Sequence, residues 1–160
     1  MTSLFDPIQL GPLSLSNRIA MAPLTRNRSP GAVPNDLNVT YYEQRATAGL
    51  LISEGTPISH QGQGYAQVPG LYLPESLEGW KRVTTAVHAA GGQIALQIWH
   101  GGRACHPLLN GGRQPVAPSP LAILNDEVHT PEGKKPYVVP RELRDDELPG
   151  CVFAQEGLCL

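Results

Sequence analysis

Hydrophobic and polar positions along this chain switch between two periods. The run Ile94-Ala95-Leu96-Gln97-Ile98-Trp99 is short, continuous and apolar apart from one amide, which predicts a buried β-strand. Strand side chains point to alternate faces. Ile94, Leu96 and Ile98 therefore share a wholly apolar face suited to packing under helices, while Ala95, Gln97 and Trp99 share the other. A buried amide and a buried indole N–H both need partners. A strand buried on both faces, with these two groups near its carboxyl end, either presents them to a ligand or pairs them with water or backbone, and the strand alone does not choose between the two. His100-Gly101-Gly102-Arg103 then turns the chain away.

Two earlier runs have the same character. Arg18 to Ala22 predicts a strand that stops at Pro23, which has no N–H for a ladder, and Leu24 and Thr25 follow at its carboxyl end. Leu50 to Thr56 is apolar and turns polar at its close, as buried parallel strands do. Helical spacing fills the gaps. Asn35 or Asp36 is a candidate N-cap for a helix whose Leu37, Tyr41, Arg45 and Ala48 recur on one face, with Gly49 as its stop. Pro74 to Ala90 predicts a second helix, with Leu77, Trp80, Thr84 and Val87 on one face, acids early and bases later. Leu4 to Ser16, broken by Pro7, Gly11 and Pro12, predicts a short hairpin ahead of the main fold. Ser59 to Pro69 is a polar, glycine-rich loop that carries Tyr65. Ala104 to Glu142 has almost no regular pattern and holds seven of the sixteen prolines, which predicts a long loop.

Hairpin, strand, helix, strand, helix, strand implies an α/β fold with a parallel sheet and right-handed crossovers. In such folds ligands sit beyond the carboxyl ends of the strands. Those ends hold Pro23, Leu24 and Thr25, then Gly55 and Thr56, then Gln97 and Trp99. Few polar groups, one aromatic and one glycine suit a flat heterocycle. Neither GxGxxG nor GxxxxGK[ST] occurs, which counts against a Rossmann dinucleotide site and a P-loop.

Composition narrows the class without changing the picture. The 160 residues are 41% hydrophobic and 16% charged, enough for one core. A net charge of −2 offers no basic footprint for nucleic acid or an anionic membrane. No signal-peptide pattern and no membrane-spanning run are evident. The cysteines, Cys105, Cys151 and Cys159, fit no disulfide framework or zinc spacing, so a reducing cytoplasm is the expected setting. Cys105 and His106, with His100 nearby, lack a fourth ligand, and no metal is expected. Glu54 should face the helices and form an ion pair, and Arg103 a structural salt bridge.

Several separated segments, MAPLTRNRS, YYEQRATAGLLISEGTPIS, GQGYA, PGLYLPE, W-K-x-V-x-x-A-V-H-x-x-G-G and LQIWHGGRA, together resemble the old yellow enzymes, FMN-dependent, NAD(P)H-consuming ene-reductases on a (β/α)8 barrel. The likeness is greatest to the bacterial N-ethylmaleimide reductase branch and runs from about Leu4 to Pro149. It implies an N-terminal portion of a TIM barrel: a hairpin, about three strands and two helices. It further implies that Pro23, Leu24 and Thr25 lie against the flavin, with the Thr25 hydroxyl bonding the ring carbonyl beside the reactive nitrogen and tuning the ring. Gly55 would let the backbone approach the ring, Gln97 would bond its pyrimidine edge, and Tyr65 and Trp99 would line the substrate pocket. The implied reaction passes a hydride from NAD(P)H to FMN, then to the β-carbon of an alkene activated by a carbonyl or nitro group.

A complete barrel of this kind needs eight strands and roughly 250 residues. The family's substrate-gripping pair, proton-donating tyrosine and phosphate-binding groups all fall after the last residue of this chain. The sequence tracks the family over residues 1–150. CVFAQEGLCL then departs from the pattern over residues 151–160, as a truncated or frame-shifted reading frame would. Two function classes follow: an FMN ene-reductase or a piece of one, and a non-catalytic half-barrel that binds little flavin and self-associates through open barrel edges. An aldolase on the same barrel would want a lysine at a strand end, and none stands there. The resemblance implies that the long loop overhangs the active site and brings Arg141 to it.

Overall fold

The computed structural model describes residues 2–149. Strands β1 (Ile8–Leu10) and β2 (Leu13–Leu15) form the expected antiparallel hairpin. Its turn passes through Gly11 at φ +56°, a backbone conformation that costs glycine little. The main unit then runs β3 (Ala20–Met21), α1 (Asp36–Glu43), β4 (Leu50–Ile52), β5 (Thr56–Pro57), α2 (Pro74–Ala89), β6 (Ile94–Ala95) and β7 (Ile98–Trp99). The strand order is β3-β4-β6, all parallel, and β5 pairs parallel with β7. The described residues thus form an open piece of α/β barrel wall and do not close a barrel.

The two longer expected strands are each divided, and the register explains why. Leu51 and Ile52 stand beside Ile94 and Ala95, whereas Thr56 and Pro57 stand beside Ile98 and Trp99. Ser53, Glu54 and Gly55 therefore face only Leu96 and Gln97. This is a β-bulge, uncommon in parallel pairs and often found next to functional sites.

The core lies between this sheet and the two helices. Tyr42, Leu51, Trp80, Val83 and Val87 are fully buried, and Ile94 and Leu96 pack against them. The apolar face expected for Ile94 and Leu96 is present. Among the described residues the opposite face is not covered, with Ala95 and Gln97 exposed, and Ile98, expected inward with Ile94 and Leu96, is instead 37% exposed beyond the bulge. Among the described residues helices cover one side of the sheet, so there the strand is buried on one face rather than two.

Helix α1 differs from its expected register. Asn35 is the N-cap, with its side chain accepting the Leu37 N–H at 2.9 Å and the Asn38 side chain reaching back to the Asn35 N–H. This reciprocal cap turns Asn38 and Tyr42 inward and leaves Leu37 63% exposed. The helix ends at Glu43, and tight turns carry the chain to Ala48. Gly49 does more than stop a helix. Its N–H donates to Asn17 Oδ1 at 2.9 Å, Asn17 Nδ2 donates to the Thr47 carbonyl at 2.9 Å, and a Cβ at Gly49 would collide with the Asn17 carbonyl. Gly49→Ala is therefore expected to lower stability by about 1–3 kcal/mol through overpacking against backbone. A urea midpoint equal to that of the parent chain would show that the Asn17 turn yields freely.

The long segment after Ala104 holds more order than its sequence suggests. Strand β8 (Val116–Ala117) pairs parallel with β11 (Arg141–Glu142), and between them β9 (Glu127–Thr130) and β10 (Gly133–Pro136) make an antiparallel hairpin. Its turn, Thr130-Pro131-Glu132-Gly133, has proline and a positive-φ glycine where such turns favour them. Residues 151–160, the expected departing tail, lie outside the described residues.

Candidate functional site

After β3 the chain leaves the sheet without regular structure, and Pro23, Leu24 and Thr25 are all exposed. The loop is fastened from behind. The Arg26 N–H donates to Glu54 Oε2 at 3.0 Å. Asn27 Oδ1 accepts the Gln67 N–H at 2.9 Å, the Ser29 N–H donates to the Gln67 carbonyl at 2.8 Å, and Asn35 Nδ2 donates to the Arg28 carbonyl at 2.8 Å. The guanidinium groups of Arg26 and Arg45 both lie over the Tyr41 ring, at 5.1 and 3.9 Å, within cation–π range. The loop bearing Thr25 is thereby tied both to α1 and to the loop bearing Tyr65.

Glu54 is buried on the helix side, as expected, but no cation pairs with it among the described residues. Its carboxylate is met instead by the Arg26 amide and by longer contacts from Asn38 Nδ2 (3.4 Å) and the Tyr42 hydroxyl (3.5 Å). Neutral donors stand where an ion pair was expected, and the Arg26 side chain lies over Tyr41. Burial pushes the Glu54 carboxyl above its ordinary range, against the downward pull of the Arg26 and Asn27 amides. Burial likewise raises the Tyr42 phenol, which stays protonated and able to donate.

On the far side of the bulge, Ser53 Oγ accepts the Gln97 N–H at 2.9 Å, and the Gln97 carbonyl accepts the Thr56 N–H at 2.9 Å. The Gln97 side chain is exposed and makes no hydrogen bond among the described residues, and the Thr25 hydroxyl is likewise free of one. Trp99 is half-buried and stacks on Tyr65, with ring centroids 5.5 Å apart and planes 6° from parallel. Its indole N–H is buried and has no partner among the described residues. Gly55 makes its close approach to this indole, since a Cβ there would lie 3.2 Å from the ring, and Gly64 approaches the same ring at 3.4 Å. The two glycines fix the plane of Trp99.

Other candidates are occupied elsewhere. Cys105 is buried, and burial pushes its thiol up to about 11, so it is not a thiolate near neutrality. His100 Nδ1 accepts the Gly102 N–H and His106 Nδ1 the Leu108 N–H. No group of three or more His, Cys, Asp or Glu is placed to hold a metal ion among the described residues. Arg141 does not reach toward the strand ends: its guanidinium grips Glu147 through two bonds of 2.8 Å, which hold the Glu147 carboxyl down to about 2. No helix among the described residues is long and apolar enough to cross a membrane.

The family described as NADH:flavin oxidoreductase / NADH oxidase matches residues 3–152. The chain belongs to this family, the old yellow enzymes. It is 46% identical over 146 residues to flavin oxidoreductase hxnT of Emericella nidulans, covering 85% of this chain and 38% of that protein. Among solved structures, morphinone reductase in complex with tetrahydroNAD superposes with a TM-score of 0.91 at 50% identity, over 96% of this chain and 44% of that one. The old yellow enzyme homologue from Zymomonas mobilis does so with a TM-score of 0.92 at 47% identity, over 97% and 43%. The chain thus spans about two fifths of the length of these relatives.

The residues present fit a flavin ring in their donor chemistry. A hydroxyl and an amide without partners, Thr25 and Gln97, stand at the ends of the two outer strands, and an aromatic pair stands beside them. Gly55 fits differently from expectation, because the space its missing Cβ leaves is filled by Trp99. Sequence reading missed Ser53 as part of this arrangement and assigned Glu54 a structural ion pair. Their signal was two consecutive polar residues inside an apolar run.

Proposed function

We propose that this chain is the flavin-ring-binding portion of an FMN-dependent oxidoreductase that uses NAD(P)H to reduce the C=C bond of activated alkenes such as enones, maleimides and nitro compounds. The observation that carries this reading is the occurrence of unengaged Thr25 and Gln97 side chains beyond the two outer strands of one sheet, together with the Tyr65–Trp99 stack. FMN supplies the hydride chemistry when bound, and the protein supplies binding, orientation and electrostatics. In this reading Pro23 and Leu24 give the ring apolar surroundings, and Gly55 seats the Trp99 indole beside it. The Thr25 hydroxyl and the Gln97 amide donate to ring acceptors. Tyr65 and Trp99 form the wall against which the alkene stacks.

A second reading, a non-catalytic remnant with little affinity for flavin, draws on the chain's coverage of about two fifths of its relatives. Titrating the 160-residue chain into FMN separates the two. Saturable quenching of flavin fluorescence supports the first, and a flat titration supports the second. In a complete enzyme carrying this segment, Trp99→Leu is expected to change which bulky enones react or which face is attacked, while the rate of flavin reduction by NADPH stays within about twofold, the change expected of a residue touching substrate alone. Product stereochemistry and substrate range that both stay fixed would make Trp99 a packing residue only.

A further inference from the structure

Two consecutive residues of the central strand hold the ends of the strands on either side of it. Ser53 reaches one side: its Oγ accepts the Gln97 N–H at 2.9 Å, and its own N–H donates to the Ala95 carbonyl at 2.9 Å. Glu54 reaches the other: its Oε2 accepts the N–H of Arg26, the residue after Thr25, at 3.0 Å. Both are buried, at 0% and 1% exposure.

The bulge makes this arrangement possible. In a regular parallel ladder the rungs are backbone to backbone. Here three residues stand opposite two, and a hydroxyl takes the Gln97 N–H in place of a carbonyl. The Ser53 hydroxyl proton goes to the Glu54 carbonyl at 2.9 Å, which also receives the Thr56 hydroxyl at 2.9 Å. The Glu54 N–H donates to the Tyr42 hydroxyl at 2.8 Å. Side chains thus satisfy the groups that the bulge displaces, as buried polar groups require. A carboxylate is among the costliest groups to bury. Asn38, Tyr42 and the Arg26 amide all offer donors to it, so the pocket is built for an acceptor on both oxygens.

We infer that Ser53 and Glu54 are paired positioning residues, Ser53 setting the placement of Gln97 and Glu54 that of Thr25, so that both side chains proposed to bond the flavin ring are registered to one bulge. This rests on the flavin reading above and adds the device that sets its geometry. Neither residue touches the ring, and each acts through a backbone amide next to, or within, a ring-binding residue.

Ser53→Ala and Glu54→Gln test the pair. The second is isosteric, but a glutamine must turn its NH2 toward either the Arg26 N–H or the Asn38 NH2. Asn38 cannot flip to accept it, because its Oδ1 already takes the Ser29 hydroxyl at 3.1 Å and the Asn35 N–H at 2.9 Å. In the ligand-free chain, S53A is expected to speed amide exchange at Gln97 about tenfold and leave Arg26 unchanged, and E54Q to do the reverse, as loss of one hydrogen bond implies. Ser53→Thr, which keeps the hydroxyl, should restore protection at Gln97. If E54Q does not fold, Tyr42→Phe loosens the same carboxylate and is read instead. Titration with oxidised and with dithionite-reduced FMN gives the second readout. S53A should weaken both forms alike, whereas E54Q should change the ratio of the two affinities several-fold.

A wild-type chain that takes up no FMN removes the flavin reading and the role of the pair toward a ring. A wild-type chain that binds FMN, with exchange raised across the whole sheet or unchanged at both amides in the variants, leaves the flavin reading standing and overturns the pair.

Discussion

Trp80→Ala is expected to leave the chain unfolded at room temperature. Trp80 is fully buried on the inner face of α2, its ring lies 6.0 Å from that of Tyr42, and its Nε1–H donates to the Gly70 carbonyl at 3.0 Å. Removing it costs about 3–5 kcal/mol in transfer and cavity terms. The Gly70 carbonyl then loses its donor, which adds about 1–3 kcal/mol if water cannot reach it. A natural domain has only about 5–15 kcal/mol to lose. A sheet covered by helices on one face buries less apolar surface than a full domain, so this chain belongs near the lower end. Trp80→Phe keeps most of the volume and forfeits the hydrogen bond, so it should fold with a lowered midpoint. Near-UV circular dichroism and urea unfolding separate the three proteins. A Trp80→Ala chain with a native near-UV spectrum and an unshifted midpoint would mean that the core is seated elsewhere.

Which parts of the fold were legible depends on the range of the forces that set them. The apolar face of α2 around Trp80 and Val87, and the inward side of Ile94 and Leu96, follow from periodicity, because burial of one face is a local pattern read against a general rule. The inward turn of α1 was not legible in the same way. Its apolar repeat pointed to Leu37 and Tyr41, yet the buried side is Asn38 and Tyr42. Asn38 goes inside as part of the helix cap, and there it meets Ser29, nine residues away, and Glu54, sixteen away, contacts that no apolar repeat records. The bulge at Ser53–Gly55 was hidden for a related reason. Register between parallel strands is set across a crossover of some forty residues, and no local pattern records that one strand carries a residue more than its neighbour. The hairpin around Gly133 is marked in the sequence only by one Pro-Glu-Gly turn, which the other prolines of the same segment mask.

The site divides along the same line. Placing Thr25, Gly55, Gln97 and Trp99 at strand ends needed only strand limits and the rule that ligands sit beyond them. Naming a flavin needed the family resemblance. What neither supplied was the set of contacts behind the site: the Arg26 amide on Glu54, the Gln97 amide on Ser53, and the Trp99 ring filling the space at Gly55. These are contacts between segments forty or more residues apart for Ser53–Gln97 and Gly55–Trp99, and nearly thirty for Arg26–Glu54, and they exist only once the chain has folded.

Gln97→Ala is expected to cost about 1–3 kcal/mol of FMN binding, a loss of about 5- to 150-fold in affinity. The amide makes no hydrogen bond among the described residues, so its removal disturbs no contact of the ligand-free chain, and the variant should fold with an unchanged midpoint. The penalty arises only with the ring in place, when a buried ring edge loses its donor. Thr25→Ala should act differently. A hydroxyl donated to a ring oxygen favours whichever redox form carries more negative charge there, so its loss should shift the balance between reduced and oxidised flavin more than the overall affinity. Fluorescence titration with oxidised FMN, repeated anaerobically with reduced FMN, reads both effects. An unchanged affinity in Gln97→Ala, together with an unchanged oxidised-to-reduced ratio in Thr25→Ala, would remove both residues from the flavin site and leave the strand ends without a ligand.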